Sequence, residues 1–423
     1  MLMTSYIFEA IGGALVLLTL PLVVELAVLT LASRLPKRRL ESCANSAPIH
    51  LSVIIPAHNE EVLIGSCVES LRASAAGSST RIIAVAHNCT DRTAERAAEA
   101  GADVVRYNSE AKGKGCALAF GFDYAVSQGA DAVLVVDADS TVSSNLVGVV
   151  GEAFAHGAQA VQCRYEMESS SKRPTTRLTA LAFRGFNVIR PTGRDRLDLS
   201  AGILGNGFAV RQTLLAQNSY NSLSVVEDLE FHIKLVLAGK KVRFLDQARV
   251  SSGMPSSKAG DATQRSRWEG GRAHAAATWL PPLLKQVTQG RLRMLEPVID
   301  LASMPIGYAS FLLFLAACLP LEWLRIYVLC AVCVLAGHVL AAAWSGPDFA
   351  ADMRILARAP GYILWKLFML PKLLRSSRAD AAWVRTERQP AMQQARLETV
   401  TESSMAGNGM EPALQASSSM EIS

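Results

Sequence analysis

The first strong hydrophobic signal is an apolar run from Ile11 to Ala32, in which Glu25 is the only charged residue. A helix of that length spans roughly 30 Å, the thickness of the hydrocarbon core of a membrane. No Lys or Arg precedes the run, as one would in a signal peptide, so the pattern predicts a transmembrane helix within residues 1–33. We expect Glu25 to face other helices, and a functional role is the alternative.

Basic residues after this run predict its orientation. They are Arg34, Lys37, Arg38 and Arg39. Because positive charge near a membrane span stays preferentially on the cytoplasmic side, residue 34 onward is expected in the cytoplasm.

Between residues 50 and 275 the pattern changes to short strands that alternate with helices. Three runs rich in Val and Ile are predicted as buried parallel strands: Leu51–Pro56, Arg81–Ala86 and Ala132–Asp137. Helical spacing with polar first residues follows each run. The alternation predicts an α/β fold with a doubly wound sheet, whose ligands bind beyond the carboxyl ends of the strands.

Two further apolar stretches follow this domain. Leu301–Pro320 contains no charged residue, and Trp323–Trp344 contains only Arg325 and His338 as ionisable groups. A transmembrane hairpin within residues 295–345 is therefore expected, with both ends in the cytoplasm.

The C-terminal part of the chain shows two weaker patterns. Residues 358–376 are apolar but short, and they contain Lys366, Pro371 and Lys372, which favours an interfacial helix over another span. Residues 388–423 are rich in Ser, Met, Glu and Gly and lack aromatic residues, so we expect a disordered tail.

Composition agrees with one catalytic-size domain that carries a few membrane segments. Half of the 423 residues are apolar and 19% are charged, which excludes wholesale disorder. The net charge of +5 is too small to indicate a nucleic-acid partner. Cys330 and Cys333 form a C-x-x-C in an apolar run without a second pair, so we expect reduced cysteines rather than zinc ligands.

Two carboxylates, Asp137 and Asp139, lie at the end of the predicted strand Ala132–Asp137 and just after it. Side chains that leave the sheet at its ligand-binding edge can hold Mg²⁺ or Mn²⁺ against a diphosphate, because these ions take oxygen ligands. Such a pair also occurs by chance, and capping of the next helix is the alternative. The motifs elsewhere in the chain decide between the metal site and the helix cap.

A series of motifs accompanies this pair. In chain order they are SVIIPAHNE from Ser52, HNCTDRTA from His87, KGKGCALAFG from Lys112, VDADS from Val136, GNGFAVR from Gly205, VEDLE from Val226 and QRSRWEGGR from Gln264. In order and spacing they resemble the family 2 glycosyltransferases, in particular the membrane-embedded branch that includes synthases of cellulose, poly-N-acetylglucosamine, chitin and hyaluronan. The resemblance covers residues 50–275 and implies a nucleotide-sugar-binding, GT-A-like domain flanked by transmembrane helices.

The resemblance implies a donor site at the strand ends. Asp139 and Asp137 would hold Mg²⁺ or Mn²⁺, with Asp137 also on the nucleotide side. Lys114 would meet a phosphate, although a solvated basic loop explains it equally well. The other implied donor-binding residues are Pro56, Ala57, Asn59, Glu60, His87, Asp91 and Arg267. A helix N-cap is the alternative for Asn59, and a solvated surface charge is the alternative for Arg267.

The resemblance also implies a catalytic base, Asp228, with Glu227 orienting its loop. A base opposite the departing diphosphate would give inversion by direct displacement. The alternative for Asp228 is a carboxylate at the start of a helix, where the helix dipole favours it.

Acceptor-side residues follow from the remaining motifs. The resemblance implies Gly205, Asn206, Gly207, Gln264 and Trp268. Small residues permit close backbone approach, and a Trp ring stacks on a sugar; core packing is the alternative for Trp268.

One position departs from the pattern. Related enzymes usually carry an Asp after the second strand that helps to read uracil, and this chain has His87 there. A UDP-sugar is the expected donor, and the histidine leaves the choice of nucleotide open.

These features predict an inverting glycosyltransferase of the cytoplasmic membrane that extends an exopolysaccharide or cell-surface glycan. The expected partners are a nucleotide sugar, a glycan or lipid-linked acceptor, the membrane, and an export partner or second copy. No nucleic acid is expected. Transfer of one sugar to a lipid acceptor is the alternative among enzymes, and an inactive glycan- or nucleotide-binding subunit is the alternative of another class.

Overall fold

Eight strands form one mixed sheet. They are β1 (Leu51–Ala57), β2 (Arg81–His87), β3 (Asp103–Tyr107), β4 (Ala132–Val135), β5 (Ser140–Val142), β6 (Ala160–Glu168), β7 (Phe208–Arg211) and β8 (Val242–Gly253). Their order across the sheet is β3-β2-β1-β4-β7-β6-β8-β5. The computed structural model describes residues 2–37, 49–111, 113–168, 174–220, 224, 226–253 and 258–368, with the backbone alone at 2, 4, 174, 175 and 258–267.

Helices cover both faces of the sheet and form a separate apolar group. In chain order they are α1 (Leu2–Ala32), α2 (Ile64–Ser74), α3 (Thr93–Glu99), α4 (Lys114–Ser127), α5 (Leu146–Ala155), α6 (Pro174–Arg184), α7 (Arg190–Arg196), α8 (Gln212–Gln217), α9 (Glu227–Leu237), α10 (Lys258–Thr288), α11 (Leu295–Ala302), α12 (Ile306–Ala317), α13 (Glu322–Trp344), α14 (Phe349–Leu356) and α15 (Ala359–Phe368). A π-helical turn, Gly185–Ile189, joins α6 to α7 without a break.

The first half of the sheet agrees with the sequence prediction. Strands β1, β2 and β4 lie where the three apolar runs predict them, and β3-β2-β1-β4 pair in parallel. The doubly wound prediction is wrong for the second half, which is mixed. Strand β7 runs antiparallel to β4 and β6, and β5 runs antiparallel to β8. The reversal follows a loop at 205–207 in which two glycines adopt positive φ.

Two apolar cores lie on opposite faces of the sheet. On one face α2, α3 and α5 pack through side chains such as Ile64, Leu71 and Phe154. On the other face α4, α8 and α9 pack through Leu118, Phe231 and their neighbours. Because both faces are covered, the strands are buried along most of their length, and the open edge at their carboxyl ends is left for polar groups.

Within the described ranges, two helices are long and apolar enough to cross a membrane, Ser5–Ala32 within α1 and Glu322–Trp344, which is α13. The predicted first arm of the hairpin, Leu301–Pro320, is not one straight helix. It begins in α11, breaks at residues 303–305 and continues as α12, and the two helices meet at an angle of 80°. Pro305 ends the preceding segment, because a proline cannot continue a helix that approaches it.

The apolar helices pack on one another and are joined to the α/β domain by charge. Leu22, Leu26, Leu313 and Leu335 from α1, α12 and α13 form one buried cluster. Glu25 faces other helices, as expected, and its carboxylate pairs with Arg190 and Arg194 of α7. The α6–α7 segment, which the sequence analysis did not predict, therefore lies between the sheet and the apolar helices.

Helix α15 corresponds to the first part of the predicted interfacial helix, residues 358–376. Leu364, Trp365 and Phe368 are exposed on it, and Lys366 pairs with Glu269 of α10 at 2.6 Å. Residues 369–376 and the predicted disordered tail, 388–423, lie outside the described residues.

Close packing of α7 on α1 gives a stability prediction. A Cβ at Gly193 would collide with the backbone of Leu29, whereas a Cβ at Gly148 of α5 would meet nothing within 4 Å. We expect Gly193→Ala to lower stability by about 1–3 kcal/mol, the usual range for overpacking. Gly148→Ala is the matched control, because alanine favours a helix more than glycine does. Thermal unfolding of the two full-length variants in the same detergent tests this, and an unchanged Tm for Gly193→Ala would contradict it.

Candidate active site

The two carboxylates after β4 lie in a tight turn at the ligand-binding edge of the sheet. Strand β4 ends at Val135, earlier than the apolar run suggests, because the backbone N–H of Asp137 donates to Asn206 Oδ1 at 3.1 Å instead of continuing the ladder. Ser140 donates to Asp139 Oδ1 at 3.2 Å. Both carboxylates are partly exposed. The turn therefore presents Asp137 and Asp139 where a ligand beyond the strands can reach them.

Asn206 supports this turn from below. The residue is 1% exposed, and its amide nitrogen donates to Ser140 Oγ at 2.9 Å and Ser252 Oγ at 3.2 Å. Its amide oxygen accepts from Asp137. The side chain is thus used within the protein to hold the turn, and the expectation that Asn206 lines the acceptor side stays a prediction.

The glycines on either side of Asn206 allow the close approach that the sequence analysis expects. Gly205 and Gly207 have φ values of 76° and 69°, which favour glycine. A Cβ at Gly205 would lie 2.8 Å from Asp228 Oδ2, and one at Gly207 would lie 2.8 Å from Val250 Cγ2. Gly205 therefore brings the loop before β7 directly against the carboxylate of Asp228.

Lys114 joins three of the predicted motifs. It is the first residue of α4, and its ammonium pairs with Asp137 Oδ1 and donates to the carbonyl oxygen of Gly205 at 2.5 Å. The ammonium is thus in contact with the carboxylate turn on one side and the glycine loop beside Asp228 on the other. The solvated-loop alternative for Lys114 is wrong.

Glu227 and Asp228 are the first two residues of α9. Asp228 Oδ1 accepts from the backbone N–H of Leu229 at 2.8 Å, so the helix start does stabilise this carboxylate. Its second oxygen is the one that faces Gly205. The helix-start explanation and the catalytic one are therefore compatible, because each uses a different oxygen.

Negative charge is in excess at this site. Burial, with repulsion from Asp228, raises the pKa of Glu227 to about 8, and burial also raises the pKa of Asp228. Lys114 acts in the opposite direction on both pKa values, and the nearby Asp137 adds to the increase. Glu227 therefore keeps its proton at neutral pH.

The site fits a divalent cation held mainly by its substrate. Among the described residues no group of three His, Cys, Asp or Glu side chains is arranged to hold a metal. Asp137 and Asp139 alone supply two hard oxygen ligands, and Mg²⁺ commonly takes one or two carboxylates with substrate phosphates and water. A cation there would also reduce the excess negative charge.

The loops after β1 and β2 are tied to each other. Pro56 and Ala57 are the last residues of β1, and the backbone N–H of Glu60 donates to Thr93 Oγ1 at 2.7 Å. Asn59 has a φ of 55°, and its side-chain oxygen accepts from Thr90 at 2.7 Å. The N-cap alternative for Asn59 is wrong, because α2 begins only at Ile64.

Asp91 supports the same pair of loops. One carboxylate oxygen accepts from the N–H and hydroxyl of Thr93 at 3.0 and 2.5 Å, and the other accepts from the N–H of Glu61 at 3.3 Å. Both oxygens thus bond to the protein, and Asp91 contributes to the predicted nucleotide pocket by holding its wall.

His87 is the last residue of β2 and is 4% exposed. Its Nε2 lies 3.1 Å from Ser109 Oγ, and its ring stacks on Tyr107 with centroids 5.2 Å apart. Burial lowers the pKa of His87, which therefore stays neutral at pH 7. The ring faces β3 and its following loop.

The last motif lies on α10. Trp268 is half-buried, packs on the core beside α2 and α5, and has its ring 6.0 Å from that of Phe183. Core packing, the alternative for Trp268, therefore accounts for the buried part of its ring. Only the backbone is described at Gln264 and Arg267, and the expected roles of their side chains remain predictions.

Two supporting residues were not anticipated. Gln162, fully buried in β6, donates to the carbonyls of Asn206 at 2.7 Å and Cys163 at 2.9 Å and accepts from Leu204. Cys67 lies beneath the turn and donates to the carbonyl of Asp137 at 3.4 Å; burial raises the pKa of its thiol. An amide within the apolar strand AVQCRYEME is a signal that could have identified Gln162, whereas Cys67 resembles any core residue of α2.

Known proteins show the same architecture. One curated relative, the probable glycosyltransferase YdaM of Bacillus subtilis (strain 168), is 28% identical over 246 residues, which are 56% of this chain and 58% of YdaM. Among solved structures, the mannosyltransferase PcManGT from Pyrobaculum calidifontis, in complex with GDP-Man and Mn²⁺, has a TM-score of 0.53 at 16% identity and covers 85% of this chain and 99% of its own. That level of identity shows a shared fold.

The family comparison is more direct. The model of the family described as "Glycosyltransferase like family 2" matches residues 48–271, which contain every predicted motif from SVIIPAHNE to QRSRWEGG. Because this match spans more than half of the 423 residues, the chain belongs to glycosyltransferase-like family 2.

Proposed function

We propose that this protein is an inverting glycosyltransferase at the cytoplasmic membrane, which moves a sugar from a nucleoside diphosphate sugar to a growing cell-surface or exported glycan. The supporting observation is the position of Lys114, whose ammonium contacts both Asp137 and the loop at Gly205. That contact places the carboxylate turn, the glycine loop and Asp228 around one space at the sheet edge.

The chemistry needs charge neutralisation on one side of the sugar and a base on the other. Asp137 and Asp139 would hold Mg²⁺ or Mn²⁺, which when bound neutralises charge on the departing diphosphate. Lys114 and, by the family resemblance, Arg267 would pair with the same phosphates. Asp228 would remove the proton of the acceptor hydroxyl, and attack opposite the diphosphate inverts the anomeric centre.

Glu227 has a separate role in this proposal. Its pKa of about 8 keeps it protonated at neutral pH, which leaves Asp228 as the ionised member of the pair. Two adjacent buried carboxylates cannot both ionise easily, so a neutral Glu227 favours the charged form of Asp228.

The nucleotide remains part of the proposal. PcManGT, whose fold this chain shares, carries GDP-Man and Mn²⁺. A UDP-sugar follows from the resemblance to polysaccharide synthases, and the buried His87 stands where those enzymes read uracil. Both nucleotides therefore belong in the first assay.

A second candidate is transfer of one sugar to a lipid or lipid-linked acceptor. The bend of 80° between α11 and α12 favours it, because a helix pair broken at this angle does not form one straight wall of a polymer channel. An inactive binding subunit is disfavoured, since Asp137, Asp139 and Asp228 are all present.

A panel of radiolabelled UDP- and GDP-sugars tests the proposed function. Membranes that contain the full chain should incorporate label from one donor, and sizing of the product separates a polymer from a singly glycosylated lipid. Membranes with the Asp228→Asn chain are the control. Donor binding without any incorporation would support the inactive subunit.

Substitution of the two helix-start carboxyls should distinguish their roles. Asp228→Asn should lower kcat by about 10²–10⁴-fold, the usual contribution of a general base. Glu227→Gln should keep most of the activity at pH 7, because the pKa of about 8 means that the wild-type carboxyl is already neutral there. The two proteins should diverge only above about pH 8, as wild-type Glu227 ionises. An equal loss in both variants at pH 7 would contradict this assignment.

Metal dependence gives another expected result. Chelation should abolish transfer, and added Mg²⁺ or Mn²⁺ should restore it. Asp139→Asn should raise the metal concentration needed for half-maximal rate, because one of two protein ligands loses its charge. Asp103→Asn, at the amino end of β3, removes a carboxylate of the same kind far from the site and is the control. Full activity after exhaustive chelation would exclude the metal.

A further inference from the structure

Helix α10 carries Trp268 and is anchored three residues later to the start of α9. A Cβ at Gly271 would collide with Cγ1 of Val226, the residue that precedes Glu227 and Asp228. The two helices therefore touch at a position where one has no side chain. Because the contact has no space for even one methyl group, a small shift of α10 must move the start of α9 as well.

The next residue, Arg272, connects this contact to the apolar helices. Its Nη2 pairs with Asp300 Oδ1 at 3.0 Å and donates to the backbone carbonyl of the same residue. Asp300 belongs to α11, one half of the bent pair. On a helix, Arg272 lies one turn from Trp268, so one side of α10 is held at this turn by a buried carboxylate.

Asp300 is itself part of a larger set of ion pairs. It accepts from Arg190 and Arg194, and Glu25 pairs with the same two arginines. Arg194 also pairs with Glu296. The network thus contains three arginines, from α7 and α10, and three carboxylates, from α1 and α11. The charges balance, so the network fits a fixed structural role better than an anion-binding site.

A second anchor is the residue directly after Trp268 in the sequence. Glu269 accepts from Tyr308 of α12 at 3.1 Å and pairs with Lys366 of α15 at 2.6 Å. The helix turn that carries Trp268 is therefore attached to α11, α12 and α15 through charged contacts, and to α9 through Gly271.

We propose that Gly271, Arg272 and Asp300 are positioning residues, which set the distance between Asp228 and the acceptor-side turn at Trp268 by pressing α10 onto Val226. This inference rests on the proposed function, because it assigns Asp228 and Trp268 to opposite sides of one transfer reaction. The ends of β1, β2 and β4 do not take part in these contacts, whereas Arg267, the residue expected at the diphosphate, lies on the same turn of α10 as Trp268. The expected effect is consequently larger on kcat than on the donor KM.

A size-exchange experiment tests this most directly. In the full chain in membranes, with the donor selected by the UDP- and GDP-sugar panel, Gly271→Ala should lower kcat by about one to two orders of magnitude, the scale of a misplacement near 1 Å. The donor KM should change by a smaller factor than kcat, because the contacts at the ends of β1, β2 and β4 are kept. The double variant Gly271→Ala/Val226→Ala should recover much of the lost kcat, because removal of the Val226 methyl groups makes space for the new one. Loss without recovery would overturn the proposal.

Substitution of the ion pair is the second arm. Arg272→Gln should lower kcat by a larger factor than it raises the donor KM, and Arg272→Lys, which keeps the charge, should recover part of the lost kcat. Arg177→Gln is the matched control, because Arg177 also pairs with a buried aspartate, Asp352, at 2.8 Å, and it links the domain to α14 without an ion pair to any described side chain of α10. A fall in kcat of the same size in this control would mean general destabilisation and would overturn the proposal.

The two possible failures remain distinguishable. If the wild-type chain transfers sugar from no donor in the panel, the proposed function fails and this inference fails with it. If the wild-type chain is active and Gly271→Ala keeps full kcat, only the inference fails, and the assignment of the active site is unaffected.

Discussion

Buried ion pairs join the apolar helices to the α/β domain, and the arrangement of the rest depends on them. Glu25 and Asp300 come from the predominantly apolar helices α1 and α11, and Arg190 and Arg194 come from α7, next to the sheet. Loss of one partner would leave a buried charge without compensation, which costs far more than a surface pair contributes. The two parts of the molecule are thus held in one orientation by electrostatics, while Gly193 permits the close packing of their helices.

At the sheet edge the constraint is an excess of like charge. Three carboxyl groups, those of Asp137, Glu227 and Asp228, act on the ammonium of Lys114. Repulsion and burial raise the pKa values of Glu227 and Asp228, and a cation with a diphosphate would relieve part of that repulsion. The same electrostatic imbalance explains why the site is suited to metal, to phosphate and to a carboxylate that accepts a proton.

Much of the donor side could be predicted from the chain alone, because its residues end or follow buried strands whose hydrophobic pattern is strong. Asp137 and Pro56 are of this kind. The burial of the Asn206 side chain could not be predicted, since whether an amide faces a ligand or the interior depends on Ser140 and Ser252, which come from elsewhere in the chain. The break between α11 and α12 was also missed, because continuous apolarity does not reveal a bend.

The amino-acid sequence by itself determined the local elements and the chemical groups available: apolar helices, parallel strands, and carboxylates at their carboxyl ends. These follow from periodicity and residue type, which act over a few neighbouring positions. Tertiary structure decided the antiparallel half of the sheet, the burial of Asn206, and the contact of Gly271 with Val226. Those features depend on pairing and packing between distant segments, and such contacts leave no periodic signal in either segment.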